Sequence, residues 1–212
     1  MMQSPSAGMC PFFKKPWGVL CNMVFQTAAC LVFLLSIVSC DTKPELTIDG
    51  GAVFAESYMW CEWATFNQNW SLRAGVLIGN PVNPPTNMPS NIFTKGYPFP
   101  SDFKIRWFHF GNQKHYEATL TDQALIDKAF ASVQSHNAFK FDKLIYVSIY
   151  DSGKVELWFG LIDLSPNGKQ YIELLGGTQG YEVEGKTSDY EELTIQAIEE
   201  GRVPASVLDK KE

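Results

Sequence analysis

Apolar and aromatic runs broken by turn residues, with clear alternation in places, mark much of the chain from Tyr58 onward as sheet. Tyr58 to Phe66 and Trp70 to Ile78 are apolar or aromatic runs separated by Asn67-Gln68-Asn69, the pattern of two antiparallel strands. Phe103 to Phe110 alternates, Gly111-Asn112-Gln113 reads as a turn, and His115 to Leu120 returns. Thr121 or Asp122 then caps a helix whose Leu125, Ile126, Ala129, Phe130 and Val133 recur at helical spacing. Lys143 to Tyr150, Lys154 to Asp163 and Gln170 to Leu175 form a meander, joined by Asp151-Ser152-Gly153 and Ser165-Pro166-Asn167-Gly168. Ser188-Asp189-Tyr190-Glu191 has the form of a capping box opening a helix to Glu200, stopped by Gly201 and Pro204. The expected fold is α+β: one antiparallel, twisted sheet with about two helices covering one face.

Gly79 to Ser101 interrupts this pattern with Pro81, Pro84, Pro85, Pro89, Pro98 and Pro100. Proline at that density predicts a long surface loop. Its Phe93, Tyr97 and Phe99 are candidate partner-binding residues, presented nearly preformed because proline lowers the entropy of ordering the loop; the competing reading is that they pin the loop to the sheet.

The first 40 residues differ in kind. Lys14 and Lys15 are their only charges, and Pro16 to Ser39 carries none. The densest apolar stretch is Ala28 to Leu35. A basic segment followed by an apolar one is the order of a secretory signal. The segment ends Ile37-Val38-Ser39-Cys40-Asp41, which resembles a bacterial lipobox. A small Ser39 permits cleavage, and the Cys40 thiol accepts diacylglycerol. Two or more acyl chains hold a protein to a membrane where one does not. Residues 1–39 are therefore read as a lipoprotein signal peptide, 40–51 as the lipidated Cys40 with a polar tether, and 52–212 as one globular domain. A retained transmembrane helix and a plain secreted protein are the competing readings of the same segment. Asp41 beside the lipidated residue points to the inner membrane.

The chain has 212 residues, 45% hydrophobic and 19% charged, enough to fill a core. Losing Lys14 and Lys15 with the leader leaves 15 cationic against 23 acidic residues, a formal charge of −8. That balance argues against nucleic acid or an anionic membrane surface as a charge-attracted partner. Of five cysteines, Cys10, Cys21 and Cys30 leave with the signal and Cys40 is lipidated. Cys61 remains alone, read as a core residue.

Few residues suggest chemistry. His109 and His115 flank a turn, and pairing Phe110 with Lys114 would set the imidazoles opposite each other. Two ligands do not make a metal site, and no cofactor is expected. Gly176-Gly177-Thr178-Gln179-Gly180 lacks the following helix and lysine of a phosphate cradle. Gly-x-Ser-x-Gly is absent. Carboxylate pairs such as Glu182 with Glu184 read as solvated surface. Trp107 and Trp158 read as core.

The order of lipobox, Trp-rich strand and Pro-rich loop, then Tyr97-Pro98-Phe99-Pro100 leading into Phe103-Lys104-Ile105-Arg106-Trp107, Val155-Glu156-Leu157-Trp158 and Glu200-Gly201-Arg202-Val203-Pro204, resembles the bacterial lipoproteins filed as "domain of unknown function 2931". The similarity spans about Tyr58 to Pro204. It implies no catalytic residues. For some members it implies an immunity role against type VI secreted phospholipase toxins. The expected function is a lipid-anchored, non-enzymatic, periplasm-facing binding protein whose partners are the membrane and a toxin. An envelope hydrolase or carbohydrate-binding enzyme, using acids not located in the sequence, is the alternative.

Overall fold

The computed structural model describes residues 45–72, 75–77 and 91–210. Residues 1–44, which include the segment read as a signal peptide and lipobox with Cys40, lie outside the described residues. Eleven strands follow in order: β1 (Thr47–Ala55), β2 (Met59–Phe66), β3 (Trp70–Leu72), β4 (Gly75–Leu77), β5 (Asn91–Pro98), β6 (Asp102–His109), β7 (Lys114–Thr121), β8 (Asp142–Ile149), β9 (Lys154–Ile162), β10 (Gln170–Gln179) and β11 (Tyr181–Val183). Helix α1 (Ala124–Ser135) separates β7 from β8, and α2 (Glu191–Glu199) follows a 3-10 turn at Thr187–Tyr190.

The α+β class holds, but the strands form two sheets rather than one. The five-stranded sheet runs β10-β9-β8-β1-β5, and the six-stranded sheet runs β11-β7-β6-β2-β3 with β4 also on β2. Pairing is antiparallel throughout except between β1 and β8. The split follows from burial. Inward residues of one sheet (Ile145, Val147, Leu157, Phe159) share a core with those of the other (Cys61, Phe66, Phe103, Ile105, Trp107). Stacking two sheets removes both apolar faces from water at once.

The helices do not share a face. Leu125, Ala129 and Val133 of α1 join the core between the sheets. Asp122 caps α1 as expected, its Oδ1 accepting the Ala124 N–H at 2.8 Å. Ala197 of α2, with Val203 and Val207, instead packs on Tyr58, Phe108 and Phe110 outside the six-stranded sheet. The expected capping box does not form, because the 3-10 turn intervenes and neither it nor α2 has a side-chain cap. Gly201 does end the helix, at φ +69°.

Two expected irregular segments are strands. Thr47 to Gly51, assigned to the tether, belongs to β1, which lies between β8 and β5. Gly51 is required there: a Cβ would stand 2.9 Å from both the Ile145 carbonyl oxygen and Leu72 Cδ2. The second half of the Pro-rich loop is β5, paired with β1 from Asn91↔Gly51 to Pro98↔Thr47. It is an edge strand, and Pro98 stands at its last position, where a missing N–H costs the ladder little. Of the run expected as one strand from Trp70 to Ile78, Trp70–Leu72 is β3 and Gly75–Leu77 is β4, both paired with β2. Gly176-Gly177 continues β10 past a bulge at Leu174/Gly176.

The hairpins give the domain two distinct ends. Glu45, the β2–β3 and β5–β6 connections and the β9–β10 turn lie at one end. The β1–β2 connection and the β6–β7 and β8–β9 turns lie at the other. His109 touches both Ser57 and Asp151 there.

Candidate functional site

Phe93, Tyr97 and Phe99 do not form an aromatic loop. Phe93 lies within β5, and its side chain is outside the described residues. Tyr97 is 38% exposed and stacks on Trp70, with ring centroids 5.4 Å apart. Phe99 is buried and meets Phe159 edge-on at 5.5 Å. Phe99 is therefore a core residue and not available to a partner. Tyr97 and Phe99 are held because the pairing of β5 with β1 brings this stretch of chain onto the domain.

The histidines are also separated. Phe108 pairs with His115 and His109 with Lys114, one residue off the expected register. A one-residue slip sends a side chain to the other face of a sheet. The two imidazoles accordingly belong to different groups.

His109 sits at the end formed by the β1–β2, β6–β7 and β8–β9 connections. Its Nε2 lies 3.3 Å from Asp151 Oδ1 and 3.5 Å from Ser57 Oγ. Serine, histidine and aspartate thus converge, but not as a catalytic triad. In a triad the carboxylate holds Nδ1–H while Nε2 faces the serine. Here Nδ1 accepts the Gly111 N–H at 3.0 Å. The neutral ring must then carry its proton on Nε2, the atom that faces both Ser57 and Asp151. A protonated Nε2 cannot take the Ser57 proton. Beside it, Asp151 N–H donates to Glu56 Oε2 at 2.9 Å. Glu56 and Asp151 are both exposed, making this end acidic at its rim.

His115 lies on the outer face of the six-stranded sheet, under the segment that follows β11. Its Nδ1 is 2.7 Å from Glu62 Oε1. Glu62 Oε2 is 2.6 Å from Arg106 Nε. Arg106 donates from Nη1 to Glu117 Oε1 at 2.8 Å and from Nη2 to the Glu184 carbonyl at 2.9 Å. Tyr190 stacks on Phe108 at 4.4 Å and stands edge-on to His115. Burial, then the negative charge and hydrogen bond of Glu62, push the Tyr190 phenol well above its ordinary range. His115 Nε2 is buried without a hydrogen-bond partner. Each charged group here answers another, which ties the C-terminal segment to the sheet.

A third group surrounds Glu156 on the outer face of the five-stranded sheet. The Tyr150 hydroxyl donates to Glu156 Oε2 at 2.5 Å, and Lys154 Nζ lies 2.6 Å from Oε1. Burial would raise this carboxyl, but the hydrogen bonds from Lys154 and Tyr150 outweigh it and hold the carboxyl below its usual range. A general acid needs the opposite shift. Nearby Tyr146 is fully buried, its hydroxyl unpartnered, and burial pushes its phenol up to about 12. Cys61 is fully buried, and burial with the Glu62 charge pushes its thiol up to about 12.

Sequence reasoning did not single out Ser57, Asp151, Glu62, Arg106, Glu117 or Tyr190. One signal was present: Arg106 and Glu117 are direct cross-strand partners. The expected register pairs Arg106 with Ala118 and hides that ion pair.

No protein-family model, no curated protein and no solved structure matches this chain.

Proposed function

We propose that this chain is a lipid-anchored, non-enzymatic protein-binding module of the Gram-negative envelope. It faces the periplasm, on the inner membrane as Asp41 suggests, and acts as an immunity protein against a type VI secreted, phospholipase-type toxin. The anchor rests on the lipobox ending at Cys40. The immunity role rests on the motif resemblance. The observation that carries binding over catalysis is the His109 centre: Ser57 and Asp151 meet the same imidazole nitrogen, and the other nitrogen is occupied by Gly111 N–H. The exposed Glu56 and Asp151 beside it suit encounter with a basic surface, since charge complementarity raises association rates.

A growth competition tests this. A strain lacking the gene is expected to be killed by its type VI-competent parent and rescued by the wild-type gene. The double charge reversal Glu56→Lys, Asp151→Lys, at two exposed positions, is expected to fold and to fail in rescue. Equal survival of the deletion strain contradicts the immunity role. Full rescue by the reversal variant moves the binding face elsewhere.

A further inference from the structure

We infer that the end of the domain where the chain enters β1 rests on the membrane surface, with Phe139 and Leu164 as its apolar contacts with lipid. This inference depends on the anchor at Cys40 proposed above.

Strand register places both residues at the entry end. β1 runs parallel to β8, with Gly50 beside Leu144, and Lys143 N–H donates to Asp49 Oδ2 at 2.9 Å. The start of β1 is therefore level with the segment leading into β8, where Phe139 stands. β9 runs antiparallel to β8, with Asp142 opposite Ile162. Leu164, two residues beyond Ile162, projects past the same end. Glu45, Phe139 and Leu164 thus share one end, and Ser152 and Asp151 mark the other.

Both side chains are open to solvent without a reason in the fold. Leu164 is 62% exposed and Phe139 53%. Each follows or precedes a strand whose other apolar residues are covered. Turns are ordinarily filled by small or polar residues. Leu164 instead occupies the turn Asp163–Lys169, where Ser165 N–H donates to Asp163 Oδ1 at 3.0 Å.

Chain length keeps this end close to the membrane. Glu45 is five positions beyond Cys40, a stretch of chain that spans about 18 Å at most when fully extended. A domain of this size has a radius of gyration of about 15 Å, hence a diameter near 40 Å. The tether is shorter than half that diameter, so the entry end cannot turn far from the bilayer. Lys140, Lys143 and Lys169 at this end are offset by Glu45, Asp49, Asp142 and Asp163. The contact is accordingly apolar rather than an attraction to anionic headgroups.

The test uses the full chain, processed and acylated in a Gram-negative host, then reconstituted into vesicles of phosphatidylethanolamine and phosphatidylglycerol containing nitroxide lipids. An environment-sensitive fluorophore is placed on Leu164→Cys, on Phe139→Cys and on Ser152→Cys at the far end. Buried Cys61 and blocked Cys40 do not compete for the label. Quenching at 164 and 139 is expected to exceed that at 152 several-fold. The intact mass of each sample reports acylation separately. An acylated chain with equal quenching at all three positions overturns this inference and leaves the anchor standing. A chain without acyl groups on Cys40 overturns both.

Discussion

Gly185 lies directly over the His115 imidazole: a Cβ at residue 185 would stand 2.3 Å from both Cγ and Cδ2 of that ring. The contact is what lets the segment after β11 close over the outer face of the six-stranded sheet. It brings the Glu184 carbonyl to Arg106 and Tyr190 to Phe108.

Gly185→Ala must therefore displace either the segment or a histidine held by Glu62. Overpacking of this kind costs about 1–3 kcal/mol. The expected result is a lowered thermal midpoint, with faster amide exchange in β11 and α2 than in β8 and β9. Uniform exchange across the domain would show that the segment is not tied down at this point.

Glu62→Gln removes the carboxylate shared by His115 and Arg106. Loss of a charged hydrogen-bond partner in a mostly buried group costs about 2 kcal/mol. Chemical denaturation should show a lower midpoint at an unchanged slope. No shift would mean that Glu117 and the Glu184 carbonyl hold Arg106 without help.

Phe99→Ala should cost about 3–4 kcal/mol, because it empties a site against Phe159 in the shared core. Tyr97→Ala, at a partly exposed stack, should cost about 1 kcal/mol. If the two variants unfold at the same denaturant concentration, Phe99 does not play the core role assigned to it.

Stability should fall at both extremes of pH, for different groups. The Glu156 carboxyl sits below its ordinary range when folded, so its contribution is complete above the unfolded carboxylate value of about 4.3 and is lost as pH falls through the folded value. Glu156→Gln should flatten the acid limb. The Tyr146, Tyr150 and Tyr190 phenols are raised on folding. Their contribution is complete below about pH 10 and is lost as pH rises through the folded values. Tyr146→Phe also removes a buried hydroxyl without a partner, and should raise the thermal midpoint or leave it unchanged. A lowered midpoint would reveal a hydrogen bond to Tyr146 in solution.

The parts of the fold that could be read from the chain are those made by neighbours in sequence. β8, β9 and β10 were legible because each is a short apolar run rich in β-branched and aromatic residues, and Asp151-Ser152-Gly153 and Ser165-Pro166-Asn167-Gly168 turn the chain between them. The apolar face of α1 was legible for the same local reason. β1 and β5 were not, because their partners are 40 to 51 residues apart in sequence and they carry Gly50-Gly51 and Pro98, signals that locally argue against a strand. Only the contacts of Gly51 with Ile145 and Leu72 explain the glycine. The histidine groups depended on register. Moving the β6–β7 pairing by one residue converts two facing imidazoles into an Arg106–Glu117 ion pair, with His115 near Glu62 and His109 near Asp151. Nothing local in Gly111-Asn112-Gln113 decides between the two registers.

The proposed function stands first on the fate of Cys40, and intact mass spectrometry of the membrane-bound protein from a Gram-negative host measures that fate directly. The expected species begins at Cys40 and carries the mass of a diacylglycerol, with or without a third acyl chain, and Cys40→Ser accumulates as the uncleaved, unacylated precursor. A mature protein that begins elsewhere, or that begins at Cys40 without acyl groups, would contradict the lipid anchor and the envelope role built on it.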